Sequence, residues 1–309
     1  MITSKDICFV TGADAAYFLM AGMLAESLAA RYPDIRFRLL DFGLSEAQRA
    51  LSIEKRWFVP RPDGIVRSAH PYMLKAYLGR YLGHDRPRVA VWVDCDAVAA
   101  GGGTRQLCDA LEAMASRDQV LAAAVDAGYG TWGKFVRHQR APAFAAAARD
   151  AAAADAPYIN VGVVVFAGDE ALERWPAVTE RFDGDACFEQ NALSVIAREL
   201  GPRFHLLDNR QWNAHGPLLA GVKPSADGPI CGGRKVVFLH ATSERETFHV
   251  RRTVNIPLDG RTASGVVKWF NDPGLRELQS THLRAFVRNN LAALRQHGVL
   301  APDPALPLA

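Results

Sequence analysis

The chain has no apolar run free of charge that approaches the roughly 20 residues needed to cross a bilayer. The longest such run, 158–168, is about half that length, so a soluble or peripheral protein is expected. Cysteine is scarce: Cys8, Cys95, Cys108, Cys187 and Cys231 are odd in number, far apart, and contain no Cys-x-x-Cys pair. That spacing argues against a disulfide framework and against a thiolate zinc site, and fits a reducing compartment. Residues 1–30 lack a basic segment leading into an apolar run and a cleavage site, so no secretory signal is expected and a cytoplasmic location is. Charge of one sign is also lacking. Lys plus Arg is 36 and Asp plus Glu is 33, a net +3, and the basic residues are scattered without an aromatic-basic motif. No nucleic-acid partner is expected.

What is present is an ordinary globular composition, 49% apolar and 22% charged over 309 residues, enough to bury a core. Residues 7–11 form a β-rich run closed by Gly12, and 17–31 carry apolar residues at helical spacing. A second strand is expected over 36–41, followed by Ser45-x-x-Gln48, which has the form of a capping box. Helices are expected over 71–82, 107–114 and 188–200, and strands over 88–93, 120–126, 158–166, 204–207 and 236–240. This alternation predicts an α/β chain with a parallel or mixed sheet covered on both faces. The alanine-dominated stretch 141–156 reads as a surface helix or flap, and 274–297 as a long helical pattern.

The most informative residues are Asp94-Cys95-Asp96, directly after the apolar run Val89-Ala90-Val91-Trp92-Val93. Ligands gather at the carboxyl ends of strands in open α/β sheets, and two carboxylates held there call for a neutralising cation. Mg²⁺ and Mn²⁺ take oxygen ligands and commonly bridge carboxylates to phosphates. Other polar residues close apolar runs in the same way: Asp14 after the first strand, Asn160 within Tyr158-Ile159-Asn160-Val161-Gly162, Glu189-Gln190 at a helix start, and His240 after Val236-Val237-Phe238-Leu239.

In this order the residues resemble the GT-A nucleotide-sugar glycosyltransferases, nearest to the glycogenin and bacterial lipooligosaccharide galactosyltransferase group. The matching pieces are Asp14 with Tyr17, Leu40-Asp41-Phe42-Gly43-Leu44-Ser45, Asp94-Cys95-Asp96, Tyr158-Ile159-Asn160-Val161-Gly162, Phe188-Glu189-Gln190-Asn191-Ala192-Leu193, Gln211-Trp212-Asn213 and Phe238-Leu239-His240. They span about residues 5–245 of the sequence. The resemblance implies a three-layer GT-A sandwich with a mixed central sheet over residues 1–245. A helical C-terminal extension with one amphipathic helix would then occupy 246–309. It implies a metal site of Asp94, Asp96 and His240 holding Mn²⁺ or Mg²⁺. Donor contacts would come from Thr11, Gly12, Ala13, Asp14, Tyr17, Lys75, Asp94, Cys95 and Asp96, and Asn160, Glu189 and Gln190 would lie around the transferred sugar. The implied activity is retaining transfer of a hexose, galactose or glucose, from a UDP-sugar to a hydroxyl acceptor in glycan or glycolipid synthesis.

Two positions depart from the family pattern. Where an Arg usually precedes the metal strand the chain has Lys75. The usual G-x-K-P-W segment after the histidine is replaced by His240-Ala241-Thr242-Ser243-Glu244-Arg245-Glu246-Thr247-Phe248-His249, which lacks the lysine. Arg245, Arg251 or Arg252 could contact phosphate instead. Ala100-Gly101-Gly102-Gly103-Thr104-Arg105 is similar to the phosphate loop of sugar-1-phosphate nucleotidyltransferases, which keeps that activity as an alternative; a non-catalytic nucleotide-sugar-binding protein is another. Trp132 and Trp212 could stack on sugar rings or pack in the core. Leu275, Leu278, Leu283, Phe286, Val287, Leu291 and Leu294 set against Arg276, Arg284, Arg288 and Arg295 make a basic amphipathic helix. Such a helix either lies on an anionic inner-membrane surface or packs on its own domain.

Overall fold

The computed structural model describes residues 1–65, 70–225, 227–242, 247–258 and 261–302. The strands are β1 (Ile7–Ala13), β2 (Arg36–Asp41), β3 (Phe58–Val59), β4 (Val89–Val93), β5 (Ala97–Ala99), β6 (Leu121–Val125), β7 (Ile159–Phe166) and β8 (Phe204–Leu207). After them come β9 (Ala214–His215), β10 (Val222–Lys223), β11 (Ile230–Cys231), β12 (Arg234–Lys235), β13 (Phe238–His240), β14 (His249–Leu258), β15 (Arg261–Phe270) and β16 (Ala301–Pro302).

A seven-stranded sheet runs in the order β3-β2-β1-β4-β7-β6-β8. β1 lies parallel to β2 and β4, whereas β7 is antiparallel to both β4 and β6, so the sheet is mixed. Every residue of β1, β4 and β7 is buried, as their near-continuous apolar sequences require of strands covered on both faces. Alternate side chains enter two cores. Val10, Trp92, Val164 and Phe166 pack with Leu172, Trp175, Leu193 and Ile196 on one face. Phe9, Val91, Val93 and Val163 pack with Leu24, Leu28, Leu107 and Leu111 on the other. The expected capping box is present, with the Gln48 N–H donating to Ser45 Oγ at 3.3 Å and the Ser45 N–H to Gln48 Oε1 at 3.0 Å.

Several elements differ from expectation, each for a packing reason. The helix expected over 71–82 is two, Pro71–Ala76 and Leu78–Leu82, divided at Tyr77. Lys75 on the first piece can then reach Asp94, while the Tyr81 hydroxyl on the second donates to the Asp41 carbonyl at 3.1 Å. The alanine-rich stretch is likewise two short helices, Pro142–Ala147 and Ala151–Ala154, and is anchored rather than loose. Its one aromatic, Phe144, is fully buried among the rings of Trp132, Phe135, Tyr158 and Phe182. Trp132 therefore belongs to the core and not to a sugar platform, and its indole N–H is spent on the Pro157 carbonyl at 3.0 Å. Trp212 is half-buried against the second core.

Gly101 marks a packed turn. A Cβ on it would lie 2.4 Å from the Val236 carbonyl oxygen, so the close approach of two backbones accounts for the glycine.

Toward the C-terminus, β14 and β15 form a hairpin of ten paired residues a side, where only helix was expected. The pattern 274–297 becomes two helices, Pro273–Asn289 and Leu291–Gln296. Leu283, Phe286, Val287 and Leu294 are buried against Leu19, Met20 and Met23 of the helix Phe18–Arg31. The apolar stripe is thus turned into its own domain, which removes the ground for reading it as a membrane-surface helix. Among the described residues, no helix is long and apolar enough to cross a membrane.

Candidate functional site

The two aspartates sit at a forced position. β4 ends at Val93, the Asp94 N–H donates to the Gly162 carbonyl of β7 at 2.8 Å, and the Ala241 N–H donates to the Asp96 carbonyl at 3.0 Å. β13 pairs antiparallel with β5 in a register that sets His240 opposite Ala97, next to Asp96. One ligand atom each from Asp94, Asp96 and His240 therefore lies within 4.8 Å of the others. His240 Nε2 stands 3.0 Å from Asp96 Oδ1 and 3.6 Å from Asp94 Oδ2. Gly162 makes room for the ring, since a Cβ there would fall 1.9 Å from His240 Cε1.

A buried relay fixes which nitrogen of His240 faces the acids. Asp126 accepts the Asn160 Nδ2 at 3.0 Å and the Gln190 Nε2 at 3.4 Å. A carboxylate only accepts, so Asn160 must turn its amide nitrogen toward it. Asn160 Oδ1 then accepts the Gly162 N–H at 2.9 Å and the Asn213 Nδ2 at 2.8 Å. Asn213 Oδ1 is left facing His240 Nδ1 at 3.1 Å, and Nδ1 donates to it. The Nε2 lone pair points at the aspartates, and this buried atom has no hydrogen-bond partner among the described residues. A nitrogen lone pair and two carboxylates converging on one point form a donor set suited to a divalent cation, with the relay orienting the ring as outer partners of metal-bound histidines do.

Two lysines share the charge. Lys75 Nζ and Trp92 Nε1 both donate to Asp94 Oδ1 at 2.6 Å. Lys268, on β15, donates to Asp96 Oδ2 at 2.5 Å. Burial raises the Asp96 pKa, but the Lys268 ammonium outweighs it and holds the carboxyl well below its usual range. Burial also opposes the charge on Lys268, and the adjacent Asp96 carboxylate more than compensates.

A cavity of about 600 Å³ opens beside the cluster, walled in part by Tyr72, Asp94, Asp126, Asn160, Glu189, Gln190, His215 and His240. Glu189 is 4% exposed and its Oε2 has no hydrogen-bond partner among the described residues. Burial raises its pKa from the ordinary 4.5 to about 7, with Lys75 opposing. Asp126 goes the other way: burial raises its pKa, but the neighbouring His215 ring together with hydrogen bonds from Asn160 and the Gly128 N–H outweighs it and brings it down to about 2. One wall thus carries a fixed anion and, beside it, a carboxyl that changes state near neutrality.

Of the expected site residues, the fold brings Asp94, Asn160, Glu189, Gln190 and His240 to the cavity wall. Asp96 and Lys75 lie directly behind it, bonded to the cluster. Thr11, Gly12, Ala13, Asp14 and Tyr17 form the end of β1 and its loop, next to the cluster but outside this wall. Asp14 Oδ1 there accepts the N–H groups of Ala16 at 2.9 Å and Tyr17 at 3.0 Å. Cys95 packs toward the core around Leu19 and Met23. Arg245 lies outside the described residues; Arg251 stacks over Tyr17 with its guanidinium 5.3 Å from the ring centre. Asp126, His215 and Lys268 were not singled out from sequence. Asp126 had a usable signal, because it closes the apolar run 121–125 as Asp94 closes 89–93.

No protein-family model and no curated protein sequence matches the chain. Solved structures do. One is the galactosyltransferase LgtC in complex with donor and acceptor sugar analogues, 16% identical, with 93% of this chain and 100% of that one covered at a TM-score of 0.52. Another is the bifunctional glycosyltransferase WbbM in its apo form, 14% identical, with 79% of this chain and 47% of that one covered at a TM-score of 0.51. With the mixed seven-stranded sheet between helical layers, these likenesses establish the GT-A fold for this chain.

Proposed function

We propose that the chain is a metal-dependent glycosyltransferase that moves a hexose from a UDP-sugar to a hydroxyl acceptor, with retention of configuration. The observation that carries this reading is the convergence of Asp94, Asp96 and the His240 Nε2 lone pair at the rim of a polar-walled cavity. The likeness to LgtC, whose structure holds donor and acceptor sugar analogues, supports the donor and acceptor classes.

In this reading Asp94, Asp96 and His240 hold Mn²⁺ or Mg²⁺, which when bound supplies Lewis-acid stabilisation of the departing diphosphate. The loop from Thr11 to Tyr17 binds the nucleoside, and Lys75 keeps Asp94 aligned through its 2.6 Å ion pair. Gln190 is held from two sides, by Asp126 and by the Val161 N–H that its Oε1 accepts at 3.4 Å. Its amide dipole therefore faces the cavity already oriented for positive charge developing at the sugar. Glu189, protonated for part of the time near neutrality, donates to a sugar hydroxyl. Tyr72, partly exposed and with its ring centre 5.9 Å from that of the buried Phe188, walls the cavity on one side. The packing of Gly101 against Val236 supports reading 100–105 as a structural turn and so favours glycosyl over nucleotidyl transfer.

Calorimetric titration of UDP, GDP and their sugar conjugates, with Mn²⁺ and then with EDTA, tests the proposal. UDP binding that needs the metal, and that Asp96→Asn abolishes without unfolding the protein, is expected. Metal-independent affinity, unchanged in Asp96→Asn, would remove the cation from the account. Slow hydrolysis of the bound UDP-sugar separates an enzyme from a mere binding protein.

A further inference from the structure

The β14–β15 hairpin sets Arg251 directly opposite Lys268, a cross-strand pair of like charges on one face of a two-stranded ribbon. Such a pair is destabilising by itself, so something must compensate it. The protein compensates only partly: Lys268 meets Asp96, and Arg251 lies over the Tyr17 ring without an ion pair among the described residues. The hairpin is docked where this matters. The Val266 N–H donates to the Ala16 carbonyl at 2.8 Å, tying β15 to the loop that follows β1. Both cations therefore border the space between that loop and the Asp94, Asp96 and His240 cluster. Among the described residues of 1–240, no lysine pairs with Asp96.

The geometry points to the hairpin as an anion clamp: Lys268 and Arg251 grip the diphosphate of the nucleotide donor from the side opposite the sheet. This rests on the reading of the chain as a nucleotide-sugar enzyme and assigns its phosphate contacts to a C-terminal hairpin, pairing Arg251, one of the arginines the sequence offered, with Lys268, which it did not. Two cations facing one diphosphate convert the like-charge penalty into binding free energy, and the guanidinium adds two-point contact. Arg251 stacks on Tyr17 at the edge of the nucleoside loop, while the charges of its guanidinium and of the Lys268 ammonium are assigned to the phosphates.

The test is calorimetry on the full chain in saturating Mn²⁺, with uridine, UMP and UDP as probes and thermal melts run in parallel. Lys268→Met and Arg251→Gln should each weaken UDP at least about tenfold while leaving uridine unchanged, and Lys268→Arg should restore most of the loss. Mn²⁺ titrated alone should bind Lys268→Met no worse than wild type, since a cation competing for Asp96 has gone. Unchanged UDP affinity in both variants overturns the clamp and leaves the donor reading standing. Equal loss for uridine and UDP with a lowered melting midpoint also overturns it, because the pair would then only staple the hairpin down. If wild type binds no UDP under any condition, the donor reading fails and takes the clamp with it.

Discussion

Glu189→Gln isolates one buried carboxyl whose state should be visible in stability before any activity is assayed. In the fold this group holds its proton up to about pH 7, against 4.5 ordinarily, because burial disfavours the charged form. Between those two values the native chain keeps a proton that the unfolded chain has released. Stability therefore falls as pH rises through the window and levels off above it. At about 1.4 kcal/mol per unit, the shift corresponds to about 3 kcal/mol. Glutamine has the same shape and no proton to lose, so the variant should lack this slope. Urea unfolding of both proteins at about pH 4.5 and about pH 8 measures it. The variant should gain about 3 kcal/mol on wild type between the two conditions, and other titrating groups cancel in the comparison. Parallel pH dependences would refute the reasoning, because they would mean that Glu189 ionises as freely in the fold as in water.

Two further substitutions probe the site and its frame. Gly162→Ala should weaken Mn²⁺ binding by about ten- to a hundredfold, because the new methyl would collide with the His240 ring; unaltered titration of the metal would contradict the placement of that ring. Trp132→Ala should cost about 3–5 kcal/mol of stability yet leave UDP affinity of the folded protein intact, as its side chain is 1% exposed. Loss of sugar-nucleotide affinity with unchanged stability would return Trp132 to the binding surface.

Much of the central sheet was legible because its strands bury both faces, and such strands must be written as plain apolar runs closed by a polar residue. That is how 88–93 and 158–166 were found to within one residue. The same logic exposed Asp94, Asp96 and His240, since carboxylates and imidazole at strand ends are conspicuous against valine. What stayed hidden depends on register rather than on local pattern. Asn213 follows a four-residue helix, and nothing within its neighbourhood says that it will meet both Asn160 and His240. Lys268 is one lysine in an otherwise unremarked segment until β15 is laid beside Asp96. A signal for the hairpin did exist: Asp259-Gly260 separates the alternating run Val250, Val254, Ile256 and Leu258 from the next strand, and such a dipeptide favours a two-residue turn. Pro257 and the two adjacent arginines obscured it.

The relay from Asp126 to His240 behaves as a one-way circuit. An amide can be read in either direction, and a run of amides between two neutral ends would settle into two arrangements of similar energy. The anion at one end and the Gly162 N–H, which can only donate, lift that degeneracy together, and the choice is passed through Asn160 and Asn213 to an imidazole on a different strand. Replacing Asp126 with asparagine would change no shape and would leave the Gly162 N–H alone to set the direction. The preference of the His240 ring for the tautomer with its Nε2 lone pair toward the aspartates would then be weakened. Four positions scattered through the sequence therefore carry a single specification, and none of them can be rewritten alone.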